Sequence, residues 1–354
     1  MTGRRTDSII DQVPQSTVDW LAEPSNPAVS VLFRSALLGE SPDSPELSAL
    51  WARRNDYAPV RRILETMGPD DAWADPGRDY QKYRGSLWQI IFLGELWADP
   101  SDARVRRAAE YSFSRQRERG SWGTGVLESA QVACLTANVG RSLARLGLSE
   151  DERVLRALSW LVKRYEELGY IGCSFVGETT LNGYCHMCTP KYLLFLAEVP
   201  ERAWPVGADR IRGASIRALR DKQVVQCLPK QTRQFQETVL AMPRSKHAEG
   251  RAAFIAEHGP LDYQDKPGWL RFGFPLHYNS DTLEALVALA AVGEPMRTEY
   301  ERALEVVRSA ADDQMRWTMK NSLNGKMIAD VEVKGQPSKW LTLRALTVLS
   351  HFGD

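Results

Sequence analysis

The 354-residue chain has no surplus of charge of either sign, since 45 Lys and Arg balance 45 Asp and Glu. Nucleic acid and anionic membrane surfaces both select a basic field, so neither is expected as the main partner. Long apolar runs are missing too. The longest, such as Ile90-Ile91-Phe92-Leu93, fall far short of the ~20 residues a membrane helix needs. Residues 1–19 contain no apolar core of signal-peptide length, and no hydrophobic region follows Arg4-Arg5, so a cytoplasmic location is expected. Cysteine is scarce and odd in number (Cys134, Cys173, Cys185, Cys188 and Cys227), which argues against a disulfide framework. Runs that alternate apolar and polar residues are also lacking; Ile328–Val333 is the best candidate for a short strand.

What remains is a neutral chain with 43% hydrophobic residues and 11 Trp, able to bury a large core. Segments apolar nearly all round recur along it: Leu87 to Leu96, Val132 to Leu146, Tyr192 to Val199, Thr282 to Leu289 and Trp340 to Leu349. That pattern marks buried helices. Most are followed by a helix with one polar face, as in Ala103 to Tyr111, Glu152 to Leu161 and Tyr300 to Val307, with Asp102, Ser149 and Thr298 as candidate N-caps. Glycine or aromatic turns close the units: Gln116 to Trp122, Gly169-Tyr170 and Met315-Arg316-Trp317. The breaks near Ala98, Gly147, Pro200, Gly293 and Gly353 define a unit of about 50 residues, with one interval lengthened. The extra length lies within 228–268, a polar stretch expected to be irregular or to add helices over one face. Earlier helical pairs are expected at Asn26 to Leu38, Pro45 to Arg53 and Pro59 to Met67. Residues 1–16 are expected to be a floppy extension, and 17–354 a single all-α domain: an (α/α) toroid of inner and outer helices around a central cavity. A linear solenoid is the competing architecture.

The turn Gln116-Arg117-Glu118-Arg119-Gly120-Ser121-Trp122 is similar to the Q-x-x-x-G-x-W turn of squalene–hopene cyclases. With the helical period, it makes the chain resemble the prenyltransferase and squalene-oxidase repeat superfamily over residues 17–354. Within it, the short bacterial squalene-cyclase-like proteins are nearest, through Asp19-Trp20-Leu21, Asn26-Pro27-Ala28-Val29, Trp269 to Pro275 and Pro337 to Trp340. The resemblance implies an (α/α) toroid with a central apolar cavity. It also marks a departure: the D-x-D-D acid of class II terpene cyclases is absent. Asp70-Asp71 with Asp75 is faintly similar to a magnesium–diphosphate motif, but Pro69, Pro76 and Gly77 favour a solvated turn. Zinc prenyltransferases of the superfamily hold zinc at the inner-helix rim through Asp, Cys and His, a ligand set that differs from the one available here.

The strongest chemical signal is Cys173 with Cys185-His186-Met187-Cys188, and Cys134 one repeat earlier. CxxC is metal-ligand spacing, and soft ligands gathered at one rim would suit zinc. Buried inert thiols and a redox or nucleophilic cysteine are the other readings. His277, Tyr278 and Asp281, in the turn before an inner helix, form a candidate acid/base cluster, with Asp281 or Ser280 as a plain N-cap the alternative. Lys339 opens the last inner helix and joins the candidate catalytic set. Trp88, Trp122 and Trp340 are candidate substrate contacts whose ring faces could stabilise a cation, or simply core aromatics. Glu128 and Glu178 lie near the same rim.

Three functions remain. One is an enzyme cyclising, isomerising or transferring a small apolar or isoprenoid-like molecule in the cavity, with or without zinc. The second is a non-enzymatic toroid binding a ligand or protein, with structural zinc. The third is a zinc enzyme of specialised metabolism acting on a non-terpenoid substrate. Charge neutrality offers no cationic reservoir for a diphosphate.

Overall fold

The computed structural model describes residues 9–73, 78–125, 127, 130–169, 185–227, 234–235, 237–239, 241–259 and 263–353. Helices dominate them: α1 (Gln15–Ala22), α2 (Pro27–Ala36), α3 (Pro45–Ala52), α4 (Ala58–Glu65), α5 (Ser86–Glu95), α6 (Ala103–Ser114), α7 (Ala133–Leu143), α8 (Glu152–Leu168), α9 (Cys188–Ala197), α10 (Ala208–Arg220), α11 (His247–His258), α12 (Thr282–Ala291), α13 (Glu301–Arg308) and α14 (Lys339–Phe352). The described strands, β1 (Gln226–Cys227) and β2 (Gln264–Asp265), form one short antiparallel ladder. The fold is all-α, as expected.

The two helix classes behave as their sequences require. Every residue of α5 is buried, as are Cys188 to Leu196 of α9. These two, with α7, α12 and α14, form an inner wall in the order α5, α7, α9, α12, α14, and α2 continues it beyond α14. The outer helices bury one stripe each: α6 packs on α5, α8 on α7, α10 on α9 and α13 on α12. In α8 that stripe is Val154, Ala157, Leu158, Trp160, Leu161 and Val162, at the three-and-four spacing of an amphipathic helix. Arg344 Nη2 of α14 meets Glu95 Oε2 of α5 at 2.6 Å, joining the two ends of the inner wall across its axis.

Local signals set the helix starts. Asn26 caps α2 and Ser44 caps α3, each followed by a proline whose missing N–H costs nothing at that position. Asp102 caps α6. For α8 the cap is Asp151, not Ser149, and α13 begins at Glu301 without a side-chain cap, after a 3₁₀ turn at Thr298–Tyr300.

The Gln116–Trp122 turn binds both layers. Gln116 Nε2 donates to Gly120 O (2.9 Å) and to Arg153 O of α8 (2.8 Å). Trp122 Nε1 donates to Ser112 O of α6, and the Trp122 N–H to Thr136 Oγ1 of α7. Gly120 has φ +105°, and a Cβ there would lie 2.4 Å from Arg156 O. The final unit repeats the lock: Trp317 Nε1 donates to Val307 O, and the Trp317 N–H to Thr342 Oγ1.

Two expectations change, and the insertion gains detail. Residues 9–16, expected to be part of a floppy extension, pack on the domain: Ile9–Gln12 form a 3₁₀ turn against α14, Val13 is buried and α1 begins at Gln15. Apolar residues in the first segment explain this, since docking removes them from water. No strand forms at 328–333. Within the 228–268 insertion, α11 and a small core of Phe235, Val239 and Phe254 stand apart from the main core, and the β1–β2 ladder pinches the base.

Candidate functional site

The turn between Gly273 and Thr282 carries His277 into the middle of the ring. Asp281 anchors the turn, with Oδ1 accepting the Glu284 N–H (2.8 Å) and Oδ2 accepting the Gly273 N–H (3.0 Å). Asp281 is therefore the N-cap of α12, and both its oxygens serve the backbone. Burial and the neighbouring Glu284 carboxylate push its carboxyl up to about 7. Asn138 Nδ2 of α7 donates to His277 O at 2.8 Å, fixing the tip of the turn from the opposite wall.

His277 sits at φ +55°, a left-handed conformation that costs a non-glycine residue energy. Its ring is 3% exposed and lies edge-on to Phe92 (centroids 4.0 Å apart) and Trp88 (5.2 Å), with Tyr83 at 6.0 Å. Among the described residues, neither ring nitrogen has a hydrogen-bond partner. Burial drives the imidazole down to about 3, with Glu95 opposing and Lys191 reinforcing, so it is neutral at physiological pH. Tyr278 faces the same box: its hydroxyl is 3.1 Å from that of Tyr83, and Lys82 Nζ lies 4.6 Å from its ring centre.

The axis below His277 is charged. Glu95 bonds Arg141 of α7 and Arg344 of α14, and Arg145 reaches Glu198 at 2.5 Å. Lys191 of α9 bonds Glu284 of α12, both almost fully buried. Burial alone would raise the Glu95 carboxyl, but Arg141, Arg344 and Arg145 hold it well below the usual range. Phe274 stacks on Trp340 (4.8 Å) and lies under the Arg344 guanidinium (4.6 Å). The centre thus holds ion pairs and the Phe274–His277 turn, where the resemblance implied an apolar cavity.

The other candidates separate. Trp88 belongs to the aromatic box, its Nε1 donating to Tyr80 O. Trp340 is buried beside Phe274, with the Tyr57 hydroxyl next to its indole. Trp122 belongs to the interlayer lock instead. Lys339 Nζ leaves the axis to pair with Glu23 (2.6 Å). Cys185 and Cys188 are buried at the start of α9, and Cys134 is half-buried in the first turn of α7, which packs against α9. Cys173, Asp75, Glu128 and Glu178 lie outside the described residues. Among the described residues no three His, Cys, Asp or Glu side chains gather as a metal site. His186 Nε2 faces Lys266 Nζ at 3.1 Å, so a zinc site there would use its other ring nitrogen, with thiolates that include Cys173, outside the described residues.

Glu95, Arg141, Lys191, Glu284, Arg344 and Tyr83 were not singled out from sequence. The available signal was a charged residue inside a helix otherwise apolar on all sides, a placement that demands a partner.

No protein-family model matches the chain, and no curated protein matches it in sequence. Among solved structures it is similar to a protein from Actinoplanes (16% identity, TM-score 0.34, covering 85% of this chain and 98% of that one). It is likewise similar to type II terpene cyclase MstE from Scytonema in complex with merosterolic acid A (15% identity, TM-score 0.32, 84% and 96% covered). A third is the same cyclase in complex with geranylgeranyl dihydroxybenzoate (15% identity, TM-score 0.31, 85% and 96% covered).

Proposed function

We propose that the chain is an enzyme that binds a small, largely apolar, isoprenoid-like molecule at the ring axis and isomerises or cyclises it by proton transfer. The observation that carries this reading is His277: a buried, neutral imidazole with two unpartnered nitrogens, held in a left-handed turn inside an aromatic box. Buried polar groups are nearly always satisfied, and an orphan in a strained turn points to a ligand as its missing partner. Trp88, Tyr83 and Phe92 supply apolar walls, and their ring faces can stabilise positive charge developing on an unsaturated substrate. Glu284, whose Oε2 is unpartnered among the described residues, is the acid/base group; His277 and Tyr278 orient the substrate. Asp281 positions the turn. No metal enters this scheme.

One observation favours a second reading, a ligand-binding ring without catalysis: both Asp281 oxygens serve the backbone and Glu284 is bonded to Lys191, so the carboxylates near His277 are already engaged. Titration with farnesol and geranylgeraniol, followed by tryptophan fluorescence, with mass spectrometry of the recovered compound, separates the two. Saturable binding with a product of equal mass and new retention supports the enzyme. Binding with unchanged compound supports the second reading, and absence of binding by either alcohol refutes both.

A further inference from the structure

We infer that the chain carries a second binding site, off the axis, for a small organic monocarboxylate. The site is a cavity of about 200 Å³ lined by Tyr80 and Leu87, by Ser114 and Arg115 at the end of α6, and by Arg117 and the Gly123–Gly125 loop. Pockets for drug-sized molecules run from about 300 to 1,000 Å³, so an occupant here is smaller. The Gln116–Trp122 turn builds one wall. The Arg117 N–H donates to Ser121 O and the Gly120 N–H to Arg117 O, which fixes the backbone that carries Arg117. A Cβ at Gly123 would lie 2.4 Å from Ala130 O, so the loop can close this tightly only on glycine.

The charges select the ligand. Asp79 also lines the cavity, but both its oxygens are engaged: Oδ1 accepts the Tyr111 hydroxyl (2.5 Å), and Oδ2 accepts Arg115 Nε (2.8 Å) and pairs with Arg115 Nη2 (2.7 Å). Arg117 has no carboxylate of this kind among the described residues. It is half-buried, its Nη2 donates one long hydrogen bond to Gly125 O (3.3 Å), and its Nε is shut off from water with no acceptor among the described residues. Enclosed guanidiniums are ordinarily paired, so an acceptor is missing here. Two guanidiniums against one carboxylate leave one positive charge, which a monoanion balances. A dianion would bring a second negative charge beside Asp79 with nothing to offset it. The planar fork of a guanidinium matches a carboxylate. The half-buried Tyr80, which packs on Trp88 of the aromatic box (5.5 Å), gives the organic part an apolar wall.

Isothermal titration calorimetry of the full chain at pH 7.5 with benzoate, benzyl alcohol and inorganic phosphate tests the site. Benzoate is expected to bind one per chain, at least about tenfold more tightly than either of the others. Arg117→Gln is expected to weaken benzoate at least about tenfold, whereas Arg308→Gln, which removes an exposed arginine of α13 outside the cavity, is expected to leave it unchanged. Arg117→Lys keeps the charge but not the fork and should fall between. No benzoate binding, equal binding of benzyl alcohol, or tighter binding of phosphate would each overturn the inference. So would benzoate binding that a folded Arg117→Gln leaves intact. The probe ranking is read on the wild type, so it decides the matter even if the variants do not fold. The inference does not rest on the axial reading, and the farnesol titration can fail without affecting it.

Discussion

A functional imidazole and a structural one respond in opposite ways to replacement, and His277→Leu separates them. Leucine nearly matches the imidazole in volume and needs no partner. At pH 7.5 it removes two buried unsatisfied nitrogens, at about 1–3 kcal/mol for such a group. It forfeits edge contacts with Phe92 and Trp88, about 0.5–1.5 kcal/mol for an aromatic pair. The difference predicts a variant more stable by about 1 kcal/mol, with ligand binding lost, as when a site trades stability for function. The pH dependence is sharper. The folded imidazole titrates near 3, the unfolded one near its ordinary ~6.5. Between those values the unfolded chain binds the extra proton, so wild-type stability falls as pH drops below about 6.5. The leucine variant lacks this term. Its advantage should therefore grow by about 1.4 kcal/mol between pH 7.5 and 5.5, and by the same amount for each further unit toward pH 4. Urea denaturation of both proteins at pH 7.5, 6.5, 5.5 and 4.5 measures it. An advantage that stays flat with pH would refute the reasoning, because it would mean that the folded imidazole takes up its proton like the unfolded one. A wild type more stable than the variant at pH 7.5 would show that the nitrogens are satisfied and that His277 is structural.

The axial ion pairs give a second prediction: Glu95→Gln takes the nearest carboxylate from buried Arg141, leaving it Glu198 at 3.8 Å, and from half-buried Arg344, and should cost about 3 kcal/mol by denaturant titration. The Glu95 carboxyl is held below its unfolded value, so its contribution is complete above about pH 4.5 and lost as pH falls further; the variant should lack that part of the acid transition. Gly120→Ala places a Cβ against Arg156 O at a positive φ and should lower stability by more than about 1 kcal/mol, whereas Gly125→Ala, whose Cβ meets only Ala130 Cβ at 3.6 Å, should be milder by thermal melting. Thr136→Val strands the buried Trp122 N–H and should cost about 1–3 kcal/mol, with Thr342→Val costing as much at the equivalent Trp317 lock. Metal analysis of purified wild type and Cys185→Ser tests the zinc expectation: about one zinc per chain, lost in the variant, would support a thiolate site at the start of α9, and zinc well below one per chain in both would refute it.

The parts legible in the sequence are those whose partners are close along the chain or set by period. The inner helices announced themselves by being apolar on every side, and the Gln116–Trp122 turn by residues that mostly bond within one unit. Asp281 was legible only as an ambiguity, because an aspartate three residues before Glu284 fits a cap and an acid equally; geometry assigns it to the cap. The zinc expectation came from CxxC spacing and from the repeat placing Cys134 and Cys173 at the same rim, and neither says what approaches from elsewhere; Lys266, 80 positions after His186, is one such neighbour. The axial network is the extreme case, since Glu95 and Arg344 are 249 positions apart. No local pattern pairs them.

That network also changes what closing the ring requires. Five inner helices each bring a charge to the axial pairs: buried Glu95 from α5, Arg141 from α7, Lys191 from α9 and Glu284 from α12, and half-buried Arg344 from α14. A solenoid of the same helix pairs would bury its apolar faces between successive neighbours and leave its two ends apart. Here Glu95 lies near one end of the wall and Arg344 near the other, so the pair forms only when the ends meet. Removing one partner of a buried pair leaves an uncompensated charge, and an opened ring would do this at its centre. Closure is thus tied to charge pairing as well as to apolar burial, and the same pairing leaves no spare cation on the axis for an anionic ligand.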